Sequence, residues 1–371
     1  MAENLLKNIN PIFMKISDKY YFYDKKELKM LKKVLENKQL SGTSNFIDDY
    51  EKNLCNFFKS KYSVALSSGT AAIQTALFSL NIKRGDKVIV SSICPSMSVV
   101  PIIALGAIPV FCDTNEDDFG LNINDLKKII DSKTKAAIEV PMWGYPTNVF
   151  RLRNFLKKYK IPLILDLAQA HGTKYKEKYL SNYGDISCFS THDKKILSTG
   201  EGGFTLTNNR KYFEKMQSYI KFGNMNGRNF GLNFKLGSLQ AGIGINRIKF
   251  INKQIKLRTS NAKYILKKIK NKKIKEFKVM EKSSPNYYAL LLEIKQGLCF
   301  NFINYLEKNN IPSDIKKYKF KVLYEYSLFK KYKRACQNSK KLSQKITTIP
   351  VHPGLNKLEL DYIVRVINNF T

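Results

Sequence analysis

The 371-residue chain is poor in acidic residues, histidine and tryptophan. It contains 30 Asp and Glu against 64 Lys and Arg, with three histidines and a single tryptophan. Its 11 prolines and 19 glycines are too few for a collagen-like or low-complexity chain, and 43% hydrophobic residues are enough to build a buried core. These proportions exclude a disordered or fibrous protein and indicate a globular one.

The sequence also lacks paired cysteines, a metal-binding histidine spacing and a long uninterrupted apolar run. The six cysteines form no CxxC pair, which predicts a reduced, cytoplasmic protein without a disulfide framework. The three histidines have no spacing typical of a zinc site. Residues 97–112 carry no charge, but two prolines and a glycine interrupt them, and they are fewer than the ~20 residues of a membrane span. We therefore expect neither a metal site nor a membrane partner.

The formal charge of +34 raises the alternative of a nucleic-acid-binding protein. The excess is uneven, because residues 247–282 carry 14 basic and two acidic residues, whereas residues 61–206 carry 18 and 13. The basic region is rich in lysine and has few arginines, unlike the arginine and aromatic clusters that bind nucleic acid. We interpret it as a solvated helical surface and expect no nucleic-acid partner.

Short apolar runs alternate with amphipathic helical stretches through the first two thirds of the chain. The alternation predicts an α/β fold with a mostly parallel, seven-stranded mixed sheet flanked by helices. A change of character near residue 255 predicts a smaller C-terminal α+β domain, which divides the chain into residues 1–254 and 255–371. The expected sheet strands are Tyr62–Leu66, Lys87–Ser91, Ile108–Cys112, Ala136–Val140, Pro162–Asp166, Asp185–Phe189 and Gly203–Thr207.

Four segments lie at or near the ends of these predicted strands, where sheets of this kind bind ligands. The first is SSGTAA (residues 67–72), between the first strand and a helix. Free backbone N–H groups and the positive helix end make this an anion site, and Gly69 lets the backbone approach closely. An ordinary helix cap at Ser68 or Thr70 explains the same residues, and alone the pattern favours the cap.

Two further segments each carry a candidate catalytic residue. Asp166 closes an apolar strand, where a buried acid needs a cationic partner such as a protonated heterocyclic nitrogen, although capping of the next helix explains it as well. Lys195 lies in a loop between two apolar strands, where desolvation frees its amine as a nucleophile. In a chain so rich in lysine, solvated surface is the simpler interpretation of any single lysine.

The fourth segment is the glycine- and asparagine-rich GNMNGRNFGLNFKLG (residues 223–237), which precedes a predicted helix. It is too polar to pack in a core, so it is either a flexible surface loop or an active-site loop. Together, an anion site, a buried acid, a poised lysine and a nearby hydroxyl are the parts that a pyridoxal phosphate enzyme needs. The combination, rather than any single segment, predicts that cofactor.

The order and spacing of these segments resemble those of the DegT/StrS-type nucleotide-sugar aminotransferases. The resemblance extends from residue 40 to residue 355, and it implies the fold-type I aspartate aminotransferase architecture. The segments that carry it are SSGTAAIQTAL (67–77), GAIPVFCD (106–113), DLAQAHG (166–172), KILSTGEGG (195–203) and GLNFKLGSLQAGIG (231–244).

The resemblance also implies roles for individual residues. Lys195 stands where the family has its Schiff-base lysine, and Asp166 looks like the acid that pairs with the pyridinium nitrogen of pyridoxal 5'-phosphate. A neighbouring subunit would complete the site, which implies a homodimer. The other implied cofactor contacts are Ser68, Gly69, Thr70 and Ser190 around the phosphate, Ala168 against the ring, Gln169 near its phenolic oxygen, and Asn233 from the neighbouring subunit.

By the same resemblance, glutamate donates an amino group to the keto group of a nucleotide-linked sugar in a ping-pong cycle. Candidate substrate contacts are Trp143, His192 and Lys235, although core packing explains a lone tryptophan as well. Lysine at position 235 replaces the arginine usual in the family and so removes a bidentate partner for a carboxylate.

One departure from the family concerns the cofactor ring and another the reaction. Pro95 occupies the position where relatives stack an aromatic ring on the cofactor, and Met97 and His171 are candidate substitutes. An alternative is a sugar-nucleotide dehydratase on the same scaffold, but such enzymes replace the lysine with histidine, and Lys195 argues against this. A transaminase for a different phosphorylated keto acceptor is a further alternative.

Overall fold

The computed structural model describes residues 14–21 and 23–371, and a seven-stranded mixed sheet forms its centre. The strand order is β1-β9-β8-β5-β4-β2-β3, in which only β9 runs antiparallel to its neighbours. The sheet therefore matches the predicted mostly parallel arrangement. Its strands are β1 (Tyr62–Leu66), β2 (Lys87–Ser91), β3 (Ile108–Cys112), β4 (Thr134–Glu139), β5 (Leu163–Asp166), β8 (Ile186–Ser190) and β9 (Gly203–Thr207).

Helices cover both faces of this sheet. Successive residues of a strand enter opposite hydrophobic clusters: Val64 and Leu66 face one, and Ala65 faces the other. This alternation explains why the strands are apolar almost throughout. The helices are α1 (Lys25–Glu36), α2 (Asn45–Phe58), α3 (Gly69–Ser79), α4 (Val100–Ala104), α5 (Ile123–Ile129), α6 (Val149–Lys158), α7 (Arg210–Ile220), α8 (Ser238–Arg247), α9 (Ile251–Lys268), α10 (Cys299–Lys308), α11 (Asp314–Lys317), α12 (Gln337–Ser343) and α13 (Lys357–Asn369).

The C-terminal part contains a second, three-stranded antiparallel sheet of order β10-β12-β13, with helices α10 and α13 nearby in sequence. A third small sheet, β11-β6-β7, joins this part to the loop after β5. The predicted division between residues 254 and 255 falls inside α9 and stays a prediction. The remaining strands are β6 (Lys174–Tyr175), β7 (Lys178–Tyr179), β10 (Ile274–Glu276), β11 (Ser283–Ser284), β12 (Leu290–Ile294) and β13 (Ile346–Ile349).

The uncharged stretch of residues 97–112 forms the short helix α4, a turn at Gly106 and the strand β3. Within residues 14–21 and 23–371, no helix combines the length and the apolar character needed to cross a membrane.

Candidate active site

Asp166 is the last residue of β5, and its carboxylate is buried at the edge of the sheet. The side chain is 5% exposed and accepts hydrogen bonds from the Ser98 hydroxyl (2.6 Å) and the Ala168 backbone N–H (3.1 Å). Burial raises the pKa of Asp166, whereas these two donors and the charge of Lys195 oppose the rise. The hydrogen bonds hold the acid in one orientation, ready to meet a cation.

Lys195 lies in the loop between β8 and β9, close enough to Asp166 for their charges to interact. Burial lowers the pKa of Lys195, and the nearby carboxylates of Asp166 and Asp314 only partly offset this. Its Nζ lies 5.3 Å from the centroid of the Tyr288 ring. A half-buried amine with a lowered pKa is the form in which lysine acts as a nucleophile or base.

The start of α3 and the end of β8 form a narrow cradle. The Ser68 hydroxyl accepts a hydrogen bond from the Ala71 N–H (3.0 Å), so its side chain caps the helix. A Cβ added at Gly69 would lie 2.7 Å from Ser190 Cβ, so only glycine permits this approach. The Thr70 backbone lies in the first helical turn, where N–H groups and the helix dipole favour an anion. The helix cap is thus observed, and the anion site in the same segment stays a prediction.

A hydrogen bond joins Gln169, which follows β5, to Trp143, which follows β4. The Gln169 side-chain oxygen accepts a hydrogen bond from the Trp143 backbone N–H (2.7 Å), and Trp143 adopts a left-handed conformation with φ of 50°. The indole is 2% exposed, packs against Phe119 and Phe320, and donates to the Asp314 carboxylate (3.1 Å). Trp143 is therefore a core residue that also holds an acid beside Lys195.

The other candidate substrate and cofactor contacts lie towards the surface. His192 is exposed, and its ring lies 3.8 Å from the Glu201 carboxylate. Asn233 is exposed like His192, and its side-chain oxygen accepts a hydrogen bond from Lys235 Nζ (2.6 Å). The segment of Asn233 and Lys235 lies against the end of β1, because Leu66 pairs with Lys235. This places it beside the cradle.

The two candidate substitutes for a stacking aromatic differ in position. Met97 is 57% exposed and follows the half-buried Pro95. His171 is fully buried beside Phe189, with a ring separation of 5.2 Å, and neither ring nitrogen has a side-chain hydrogen-bond partner within the described residues. Burial, followed by the charge of Lys195, lowers the pKa of His171 to about 3, so the ring is neutral.

Sequence reasoning missed a small cavity lined by Lys194, the chain neighbour of Lys195, and by Tyr288. Its volume is about 50 Å³, and both the N-terminal segment and the C-terminal part line it. Nothing in the hydropathy pattern marks these residues, because contacts between distant parts of the chain bring them together. Its lining includes Asp18, Tyr20, Lys194, Arg258, Tyr288, Asp314 and His352. Ser98, the hydrogen-bond donor to Asp166, was missed as well.

Comparison with known proteins gives the family. The family model described as the DegT/DnrJ/EryC1/StrS aminotransferase family matches residues 22–368. This chain belongs to that family. It is therefore an enzyme, an aminotransferase, as the resemblance of its motifs implied.

Relatives of the aminotransferase extend over nearly its whole length. It is 27% identical over 355 residues to a GDP-perosamine synthase of Vibrio cholerae, with 94% of this chain and 96% of the relative covered. It is 26% identical to a UDP-4-amino-4,6-dideoxy-N-acetyl-beta-L-altrosamine transaminase of Campylobacter jejuni, with coverage of 92% and 93%. The structure of the Helicobacter pylori aminotransferase PseC superposes with a TM-score of 0.88 at 22% identity, covering 95% of this chain and 98% of PseC. The fold is therefore that of the fold-type I sugar aminotransferases.

Aminotransferases of this family depend on pyridoxal phosphate, and the residues present fit that group. The close approach of Gly69 to Ser190 brings the Ser190 hydroxyl to the start of α3, where backbone N–H groups favour a phosphate. The buried Asp166 carboxylate needs a cation, which a protonated pyridine nitrogen provides. Lys195 is the amine beside that carboxylate. The structure thus offers a helix start that suits the phosphate, a carboxylate that suits the pyridine nitrogen, and an amine beside that carboxylate.

Proposed function

We propose that this protein transfers an amino group from L-glutamate to the keto group of a nucleotide-linked sugar in a ping-pong reaction. The observation that carries the proposal is the meeting of Asp166 and Lys195 beside the cradle of Gly69 and Ser190. Family membership and relatives named as nucleotide-sugar transaminases support the substrate class.

The residues of the chain divide the work of binding and proton transfer. The Gly69 and Thr70 backbone N–H groups and the Ser190 hydroxyl would hold the phosphate, and Asp166 would keep the pyridine nitrogen protonated. Ser68 would shape the cradle as the helix cap. When bound there, pyridoxal phosphate supplies an electron sink that makes the Cα proton of an amino acid acidic.

Lys195 would then serve as the base. Because burial lowers its pKa, its Nζ is available in the neutral form to take the proton from the donor Cα and to return a proton during the second half-reaction. Ala168 would lie against the cofactor ring, and Gln169, fixed by the Trp143 N–H, near its phenolic oxygen.

We also propose a homodimer with shared sites, in the cytoplasm. Asn233 is exposed beside the cradle of its own subunit, where it is available to reach a neighbouring one. The loop before it exposes apolar side chains, with Phe222 48%, Met225 82% and Phe230 66% exposed, as expected of a surface covered in an assembly. All six cysteines are free, which suits a reducing compartment. His192 and Lys235 would face the acceptor.

The proposal is tested by the colour of the cofactor-loaded protein. The wild type should show the visible absorbance of a lysine-linked cofactor, and Lys195→Ala should lose it, whereas Lys178→Ala, an exposed lysine, should keep it. Glutamate should bleach this band, and GDP-, UDP- or dTDP-linked keto sugars should restore it. A protein that stays colourless with added pyridoxal phosphate refutes the assignment.

A further inference from the structure

Arg258 on α9 is a buried cation without an anion beside it. Its side chain is 5% exposed, and Nη1 donates to the Tyr288 carbonyl oxygen at 3.0 Å. Within residues 14–21 and 23–371, its Nε has no hydrogen-bond partner and the guanidinium makes no ion pair. Burial lowers the pKa of Arg258 to about 10, which still leaves it charged at neutral pH. A buried charge is costly unless it is paired, so this guanidinium is suited to an anionic ligand.

The Arg258 guanidinium lines the cavity, together with Lys194 and Tyr288. The cavity measures about 50 Å³, which is room for roughly three to five water molecules or for one carboxylate group. Tyr288 connects the two cations, since its carbonyl oxygen binds Arg258 and its ring lies 5.3 Å from Lys195 Nζ. The opposite wall includes Tyr20, whose ring stacks on that of His352 at 5.8 Å. A ligand on Arg258 would therefore lie beside the tyrosine whose ring faces the reacting amine.

The acidic residues near the cavity already have partners. Asp18 accepts hydrogen bonds from Lys194 (2.6 Å) and from Lys317, so two lysines share one carboxylate. Asp314 accepts a hydrogen bond from the Trp143 indole. Within the described residues, neither of these two acids makes a hydrogen bond or ion pair with the Arg258 guanidinium. A carboxylate from a ligand would give the guanidinium an anionic partner.

We propose that Arg258 binds a carboxylate of the amino donor in this cavity. The inference rests on the proposed function, because an amino donor is needed only if the protein is a transaminase. A guanidinium offers a carboxylate two parallel hydrogen bonds, and the free Nε is one of the donors required. Bound in this way, the donor would be held with its amino group towards Lys195. Arg258 would thereby set the preference for an amino acid over a simple amine.

The test compares Arg258→Gln with Arg153→Gln, an arginine that pairs with Asp185 away from the cavity. In the cofactor-loaded protein, the glutamate concentration for half-maximal bleaching should rise by about 10- to 100-fold in Arg258→Gln and stay unchanged in Arg153→Gln. Glutarate, which cannot react, should bind the wild type and protect it in a thermal-shift assay, and should lose that effect in Arg258→Gln. An unchanged glutamate response together with unchanged glutarate binding overturns the inference.

Two additions keep the outcome unambiguous. If Arg258→Gln does not fold, Arg258→Lys keeps the charge but loses the two-pronged geometry, and it must weaken glutamate and glutarate without changing the KM of the acceptor. Equal changes for donor and acceptor overturn the proposal. L-alanine distinguishes the two carboxylates, since Arg258→Gln weakens it only if the arginine holds the α-carboxylate. A wild type that no amino acid bleaches refutes the proposed function, while glutarate still reports on Arg258.

Discussion

Replacing Gly69 with alanine should weaken cofactor binding through a steric conflict. The added Cβ would lie 2.7 Å from Ser190 Cβ and 3.1 Å from Ser190 Cα. Both atoms are fixed to the backbone of β8, so a change of rotamer cannot relieve the contact. Overpacking of this kind costs about 1–3 kcal/mol. If the helix start moves away from Ser190 to relieve it, the affinity for pyridoxal phosphate should fall by about five- to 150-fold.

A double-mutant cycle isolates this contact. Ser190→Gly removes the nearer of the two atoms, so Gly69→Ala should weaken binding less in that background, where only the 3.1 Å approach to Cα remains. Ser190→Ala keeps the atom and removes only the hydroxyl, which measures the hydroxyl separately. Titration of cofactor-free protein with pyridoxal phosphate, followed by absorbance, gives the affinities, and urea unfolding gives the stabilities. If Gly69→Ala weakens binding equally in both backgrounds, or not at all, the reasoning is refuted.

Three further predictions concern stability. Because the folded-state pKa of His171 is about 3, below its ordinary 6.5, folding stability should fall as the pH drops from about 6.5 towards 3, and His171→Phe should remove this part of the loss in urea titrations of the cofactor-free protein. Trp143→Phe leaves the Asp314 carboxyl without its indole donor and should cost about 1–3 kcal/mol in the free energy of unfolding, measured by circular dichroism. Burial alone would raise the pKa of Asp18, but its two lysine partners outweigh burial and hold it at about 2, below the ordinary 3.8. The stabilisation from Asp18 should therefore be present above pH 3.8 and be lost as the pH falls through about 2, and Asp18→Asn should flatten the urea midpoint in that range.

Each of these predictions has its own control. An acid profile that stays the same in His171→Phe means that the histidine is not protonated on unfolding. For the tryptophan, Asp314→Ala, which removes the acceptor, is the partner in a double-mutant cycle, and strictly additive effects would contradict the hydrogen bond. For Asp18, an exposed carboxylate such as Glu177 serves as comparison, and an equal effect of Glu177→Gln would contradict the assigned ion pairs.

Much of the sheet could be predicted because its strands are apolar runs with clear ends. The bounds of β1, β2, β3 and β9 agree with those expected from the sequence. The meeting of Asp166, Lys195, Gly69 and Ser190 follows from the same pattern, since all lie at or beside strand ends that share one edge of the sheet. Family membership then confirmed the type of enzyme, while the roles of individual residues stay predictions.

The cavity could not be predicted, since periodicity does not distinguish one buried cation among many exposed ones. Arg258 is one of the 14 basic residues of the stretch interpreted as a solvated surface, and for this residue the interpretation is wrong. Its burial depends on Tyr288 and on the N-terminal segment with Asp18 and Tyr20, which approach only in the folded chain. The contact of Ser98 with Asp166 could not be predicted either, because a serine in the sequence does not indicate whether it will be buried.

The contact between Ser17 and His352 has a consequence for the order in which the protein is assembled. The His352 ring nitrogen Nε2 lies 2.9 Å from the Ser17 carbonyl oxygen, across a separation of 335 residues. On a ribosome, the strands of the large sheet emerge well before His352, so the wall of the cavity formed by Tyr20 and His352 forms after them. The cofactor cradle can therefore take shape first, and the pocket beside Arg258 closes only after His352 has emerged.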